Sequence, residues 1–205
     1  MKNRAKFITL EGVDGAGKST CINFIKKYLA DKSLKSIFTR EPGGTLLGEK
    51  LREILLHDEI APETETLLMF AARNEHVHKF ISPNLRAGVN VISDRFTDAT
   101  YAYQSGGKYV DMKKITILKN WVHQDLKPDL TLLFDLPIDI SMSRLKENGN
   151  LDKFEKESKD FHMRIRDTYL ALAKKESSRF KIINSNQNIN SIEKEIYLVL
   201  DKLFL

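Results

Sequence analysis

The segment Gly12-Val13-Asp14-Gly15-Ala16-Gly17-Lys18-Ser19 constrains this chain more than any other feature. It follows a short apolar run, Phe7 to Glu11, and opens a helical pattern that continues to Leu29. Its spacing is G-x-x-x-x-G-K-[ST], set between a strand and a helix as a phosphate-binding loop requires. Glycines let the backbone curl so that successive N–H groups face phosphate oxygens, and the helix N-terminus adds its dipole. Lys18 reaches the outer phosphates, and the Ser19 hydroxyl, followed by Thr20, completes the shell of a magnesium ion. A tight turn alone needs one or two glycines and has no use for Lys-Ser at this offset. Residues Gly12 to Thr20 therefore read as the seat of a nucleoside triphosphate.

The surrounding pattern alternates short β-rich runs with longer helical periods, the signature of βαβ units on a parallel sheet. Strands are expected at Phe7 to Glu11, Ser36 to Thr39, Val89 to Ser93, Leu130 to Asp135 and Phe180 to Ile183. Helices are expected at Lys18 to Leu29, Leu46 to Leu56, Glu63 to Leu85, Met112 to Leu126, Phe154 to Lys175 and Ile192 to Leu203. The fold class that follows is α/β, a three-layer nucleotide-binding fold with a five-stranded parallel sheet flanked by helices. No repeat, long linker or like-charge block divides the chain, so residues 1–205 read as one domain. The polar stretch Lys146 to Lys153 reads as a loop.

Ligands of open α/β sheets bind outside the carboxyl ends of the strands, which brings Asp14, Arg40, Asp94 and Arg95 to one crevice. Lys and Arg number 33 against 28 Asp and Glu, a formal charge of +5 that favours anionic partners. The positive charges are spread among acidic ones rather than drawn into a stripe, so a nucleic-acid partner is not expected. The single cysteine, Cys21, permits no intramolecular disulfide and no cysteine-rich metal site, as expected in a reducing cytosol. No apolar run is long enough to span a bilayer, and the basic start Met1 to Lys6 leads straight into a strand, so the chain reads as cytoplasmic and unattached to membrane. Switch GTPases, ATPases and small-molecule kinases share the loop. No Asn-Lys-x-Asp guanine reader occurs, and the length suits a small kinase best.

Further segments narrow the class. Thr39-Arg40-Glu41-Pro42-Gly43-Gly44-Thr45, Phe70-Ala71-Ala72-Arg73, Asp94-Arg95 and Ala102-Tyr103-Gln104 join the loop in order and at fitting spacing across nearly the whole chain. This set resembles the thymidylate kinases. The resemblance implies ATP-dependent phosphorylation of dTMP to dTDP, with magnesium accompanying ATP, in a homodimer. It implies that Arg40, Arg52 and Arg95 grip the acceptor phosphate, a task suited to planar bidentate donors. Asp94 would help to hold magnesium with Ser19, and Asp14 would touch the acceptor sugar. Arg73 and Gln104 would hydrogen-bond thymine, with Phe70 as stacking surface, Thr100 near the methyl edge and Tyr103 crowding the sugar 2′ position. The commoner family spacing sets the stacking Phe four residues before the Arg. Here that position is Met69, and Phe70 as plain core is an open alternative.

Gly15 stands where the eukaryotic kind typically carries an arginine, so the chain resembles the bacterial kind, whose cations come from a closing lid. That lid would be Arg144 to Lys153, with Arg144 the main cation, Lys146 and Lys153 as others, and Asn148 where a further arginine is common. The expected catalytic set is Lys18, Arg95, Arg144 and Asp14. The five histidines form no site, Trp121 reads as buried in the core or a subunit interface, and Asn184 to Asn186 either borders the adenine or is a loop. Two alternatives stand beside this reading: a kinase for another deoxynucleoside monophosphate or a nucleoside, and a P-loop ATPase or switch that binds nucleic acid.

Overall fold

The structure is a computed structural model that describes residues 4–149 and 151–204; the Asn148 side chain, residue 150, the first three residues and Leu205 lie outside what is described. Five strands form one sheet: β1 (Phe7–Glu11), β2 (Ser36–Arg40), β3 (Asn90–Asp94), β4 (Leu130–Asp135) and β5 (Phe180–Asn184). Their order across the sheet is β2-β3-β1-β4-β5, and every pairing is parallel. Each expected strand is present, its ends within a residue of the sequence reading. β1 is buried along its whole length, as a central strand with both faces covered must be.

Helices α1 (Lys18–Asp31), α2 (Leu46–His57), α3 (Pro62–His76), α4 (Ser82–Arg86), α5 (Thr97–Thr100), α6 (Met112–His123), α7 (Ile138–Asn148), α8 (Lys159–Lys175) and α9 (Ile189–Phe204) surround the sheet. The main core gathers Ile8, Leu10 and Leu132 from the strands with Ile25, Ile165 and Ile196 from α1, α8 and α9. Helix α2 starts where Thr45 accepts the Gly48 N–H at 3.0 Å, and α6 where Asp111 accepts the Lys113 N–H at 2.8 Å.

The single long helix expected over Glu63 to Leu85 is two α-helices joined by a π-helical turn, Val77–Ile81. Pro83 lies in the first turn of α4, where its missing N–H is least needed, and the wide turn before it relieves the ring's clash with the preceding carbonyl. A second π-helical segment, Tyr101–Gly107, continues α5 and packs on α8. At Gly107 a Cβ would lie 2.4 Å from the Phe161 ring, so only glycine allows this approach. Arg164 then donates to the carbonyls of Gly106 and Gly107 at 3.2 and 2.8 Å, closing the end of the segment.

Two sequence expectations are corrected here. The stretch Lys146 to Lys153 is not all loop, because α7 runs to Asn148. Helix α8 starts at Lys159 rather than Phe154, capped by Ser158, which accepts the Phe161 N–H at 3.3 Å. Phe154 is buried instead against Tyr103, their ring centroids 5.8 Å apart.

Candidate active site

The sheet register sets the site. Arg40 pairs with Asp94, and Asp94 with Leu10, so the carboxyl ends of β2, β3 and β1 lie side by side, and the loop that follows β1 enters the same crevice. Gly12 has φ 136°, and a Cβ there would lie 2.5 Å from the Phe134 carbonyl oxygen, so the loop can leave β1 only through a glycine. Lys18 turns its ammonium back over the loop and donates to the Gly12 and Val13 carbonyls at 3.0 Å each. Burial lowers its pKa, and the nearby Arg95 adds to that effect. Helix α7 packs on the loop: Ser141 donates to the Asp14 carbonyl at 2.7 Å and Arg144 to that of Gly15 at 3.2 Å.

Arg95 stands at the centre. Its φ is +70°, in the left-handed region that a side chain other than glycine seldom adopts. The strain is held by the chain on both sides, because the Arg95 N–H bonds the Leu10 carbonyl at 3.0 Å and the Phe96 N–H bonds Glu11 Oε1 at 2.8 Å. The guanidinium is paired with the Asp14 carboxylate, donates to the Gly12 carbonyl at 3.1 Å and to the Tyr169 hydroxyl at 3.3 Å, and lies 4.7 Å from the Tyr103 ring centre. Tyr169 in turn donates to Glu11 Oε2 at 2.8 Å, and Tyr103 to Asp14 Oδ2 at 2.6 Å.

The two carboxylates of this group are driven apart. Burial, with Asp98 nearby, pushes Glu11 up to about 8 against the pull of Arg95, Tyr169 and the Phe96 N–H. Burial opposes ionisation at Asp14 as well, but Arg95, Lys18 and the Tyr103 hydroxyl outweigh it and bring Asp14 down to about 2. Asp14 is thus a fixed negative charge between two cations.

Two cavities meet at this pair. One is lined by Lys18, Ser19, Thr20, Arg40, Asp94 and Arg144, the other by Met69, Arg73, Thr100, Tyr103, Gln104 and Phe154, and Asp14, Arg52 and Arg95 line both. In the second cavity Arg73 donates Nε–H to Glu41 Oε2 at 2.7 Å and Nη2–H to the Phe96 carbonyl at 3.3 Å, while its buried Nη1 has no partner. In the first, Asp94 Oδ1 is likewise buried without a partner.

Phe70 does not line the cavity. It is buried with Tyr101, Val110 and Ile115, its ring 4.8 Å from the Arg73 guanidinium, and Met69 faces the cavity in its place. Met69 and Phe70 lie four and three residues before Arg73 and both neighbour it, but successive residues of a helix are rotated by about 100°, and it is Met69 that turns to the cavity. The cations expected in a lid also divide. Arg144 lines the first cavity; Lys146 is exposed and lines neither cavity, and Lys153 pairs with Glu65 at 2.9 Å and donates to the Asp58 carbonyl at 2.8 Å. The Asn148 side chain lies outside the described residues.

A phosphate-binding loop and a second cavity that shares its Asp-Arg pair thus lie side by side at the carboxyl ends of the strands. The sequence profile of thymidylate kinase matches residues 10–196. The chain belongs to the thymidylate kinase family. It is 54% identical over 193 residues to the thymidylate kinase of Methylobacillus flagellatus, covering 94% of this chain and 95% of that one. It is 49% identical over 203 residues to that of Neisseria meningitidis serogroup B, covering 98% of each. The crystal structure of thymidylate kinase from Ehrlichia chaffeensis superposes with a TM-score of 0.78 at 34% identity, covering 96% of this chain and 98% of that one. The five-stranded parallel sheet with its flanking helices is that family's P-loop fold.

Several residues of this kinase site were not singled out from the sequence. Glu41 holds both Arg73 and His76, and Glu49 takes the Arg40 guanidinium at 2.8 Å and the Gly44 N–H at 2.9 Å. Glu41 lies in the Arg-Glu-Pro-Gly-Gly segment that carried the resemblance, which was its only signal. Glu65, Ser141 and Tyr169 act through partners far along the chain, and nothing local marks them, whereas Glu11 stands directly before the phosphate-binding loop, in the segment that carried the resemblance.

Proposed function

We propose that ATP and dTMP meet head to head across the Asp14–Arg95 pair, and that the γ-phosphoryl group passes between the two cavities. The chain is a kinase, and the reaction of its family is the ATP-dependent phosphorylation of dTMP to dTDP, a supply step for dTTP. The observation that carries the assignment of the two cavities is the unpartnered Arg73 Nη1. A buried guanidinium nitrogen without an acceptor calls for one, and a thymine carbonyl oxygen supplies it.

Each group then has a task. The loop N–H groups and Lys18 hold the β and γ phosphates, while Arg95, Arg52 and Arg40 hold the acceptor phosphate. Asp14 keeps Arg95 in place and, with Tyr103 beside it, bounds the acceptor sugar. Arg144, anchored on the loop carbonyl of Gly15, is the cation on the transferring group. The attacking phosphate oxygen is already anionic near neutral pH, so no strong base is required, and catalysis is positioning with charge neutralisation.

Asp94 Oδ1 and the Ser19 hydroxyl are oxygen donors at the phosphate end of the cavity, and they fit a hard divalent cation such as magnesium. Bound with ATP, such an ion neutralises charge shared by the phosphate oxygens. A homodimer is supported by an apolar face on α3 and α6, where Leu67, Ile117 and Trp121 are exposed, Trp121 to 84%. Trp121 is therefore outside the core of the single chain, and the subunit-interface reading of it remains. Among the described residues no helix is long and apolar enough to cross a membrane, and the free thiol of Cys21 suits the cytoplasm.

The test is ADP formation with Mg·ATP and dTMP, dUMP, dCMP, dGMP, AMP, thymidine or no acceptor. Turnover that depends on dTMP and falls sharply for the others is the expected result. ATP hydrolysis indifferent to every acceptor would sink the assignment.

A further inference from the structure

Glu65 is fully buried in α3, a position no carboxylate occupies without strong partners. It has three. Its Oε2 receives Lys108 and Lys153, each at 2.9 Å, and its Oε1 receives the Gln104 side-chain amide at 3.0 Å. With two ammonium groups on one oxygen, Glu65 is an ionised acceptor and has no proton to give. The end of the Gln104 amide that faces it must therefore be the NH2. The carbonyl Oε1 points the other way, and no protein donor among the described residues reaches it. Gln104 and Arg73 both line this cavity, and Arg73 Nη1 is buried without a partner, so the two side chains pair an acceptor, Gln104 Oε1, with an unpartnered donor.

We infer that Glu65 is a specificity-determining positioning residue: it locks the Gln104 amide so that the pocket offers an acceptor to the base and rejects cytosine. This rests on the reading that the cavity holds the acceptor's base. The chemistry of the two pyrimidines gives the discrimination its direction. Thymine and uracil carry a donor at N3 and an acceptor at position 4, matching Gln104 Oε1 and Arg73 Nη1. Cytosine carries an acceptor at N3 and a donor at position 4, so both contacts turn repulsive. A glutamine free to turn over would offer its NH2 to cytosine N3 at little cost and recover one contact. Glu65 removes that freedom, because flipping the amide would set two acceptors against each other in a buried site, and sites with fixed polar groups discriminate far better than apolar ones. Lys108 and Lys153 hold the other carboxylate oxygen, and the Phe154 ring lies 4.7 and 5.2 Å from their ammonium groups.

The experiment compares kcat/KM for dTMP, dUMP and dCMP in the wild type, Glu65→Gln and Gln104→Ala. In Glu65→Gln the introduced side chain donates as well as accepts, so the Gln104 amide is released. The preference for dTMP over dCMP should fall at least about tenfold in Glu65→Gln, while the ratio of dTMP to dUMP, which share the same edge, stays as it was. If Gln104→Ala loses the dCMP discrimination and Glu65→Gln keeps it, the inference is overturned and the base pocket stands. If neither variant changes it, the assignment of the base to this cavity fails, and the inference with it. Should Glu65→Gln not fold, the wild-type kinase gives the answer through hydrogen exchange of the 15N-labelled Gln104 side chain. The NH2 protons should be protected before dTMP is added; protection that appears only on binding would put the NH2 in the cavity and overturn the inference.

Discussion

The Glu41 carboxylate accepts the Arg73 Nε–H at 2.7 Å from a loop 32 residues earlier in the chain, with the side chains only 4% and 2% exposed. Burial works against the charge on Glu41, yet Arg73 and His76 keep its pKa below the usual range. Replacing Glu41 by alanine leaves a buried guanidinium uncompensated, which typically costs about 3 to 5 kcal/mol. Urea unfolding of Glu41→Ala should show a loss of that order, together with a raised KM for dTMP. An unchanged midpoint would mean that the pair is not what holds Arg73.

The hydrogen bonds that Lys18 makes among the described residues go to the loop carbonyls of Gly12 and Val13, so its ammonium holds no distant element. Lys18→Ala should lower kcat about 10²-fold or more with every acceptor while calorimetric dTMP affinity stays within a few-fold. Near-normal turnover would refute its assignment to the transferring phosphates.

Of the cations expected in the lid, Arg144 is the one that, among the described residues, lines the cavity beside the phosphate-binding loop. Its alanine variant should lower kcat much more than it raises KM for dTMP, the mark of an interaction made in the transition state. The matched variant Lys146→Ala, on an exposed side chain, should leave both constants within about twofold. A pure KM effect at Arg144 would assign it to binding instead.

His123 is buried at the end of α6, its Nε2 2.6 Å from the Thr97 hydroxyl and its Nδ1 3.1 Å from the Leu126 carbonyl. A carbonyl only accepts, so Nδ1 carries the proton and Thr97 donates to Nε2: the neutral ring is fully bonded. Burial, with Arg73 adding to it, brings the His123 pKa down to about 4 from 6.5. Between those values the unfolded chain takes up a proton that the native state refuses, so stability falls as the pH drops through this window. The His123 contribution to that loss from pH 7 to pH 5 is about 2 kcal/mol, whereas Glu11, pushed up to about 8, acts in the opposite direction over the same range. The quantity to read is therefore the stability difference between the wild type and His123→Gln by urea unfolding, which should change by about 2 kcal/mol across this window. Parallel pH profiles for the two proteins would remove His123 as the cause.

Most of the sheet was readable because its strands are apolar runs followed by turn residues, and the phosphate loop was readable because its chemistry is contiguous. The helical stretch Thr97–Gly107 was not. Its threonines, tyrosines and glycines are weak helix formers, and packing on α8 through Gly107 and Arg164 stabilises it. Helix α7 was missed although Ile138, Met142 and Leu145 recur at helical spacing, because the charged run Lys146-Glu147 at its end reads as part of the polar loop that follows. Phe70 and Met69 show the limit at the site itself. Adjacent residues on a helix trade cavity for core with a rotation of about 100°, and the sequence does not print that angle. Glu65 reads as one of several acids in a polar helix start, and only the fold reveals that it is sealed.

The central position of β1 also affects the order in which the protein can be made. Its partners on either side are β3, Asn90–Asp94, and β4, Leu130–Asp135, both synthesised long after it. A ribosome adding roughly 5 to 20 residues per second takes on the order of ten seconds to cover that gap. Until β3 is made the five residues of β1 have no neighbouring strand, and until β4 and α7 follow the phosphate loop has neither the Phe134 carbonyl behind Gly12 nor Ser141 beside Asp14. The loop and the groups that surround it are thus not all present until about two thirds of the chain has been synthesised, and β1, buried along its whole length in the finished fold, is for that interval cargo for whatever shields new chains from one another.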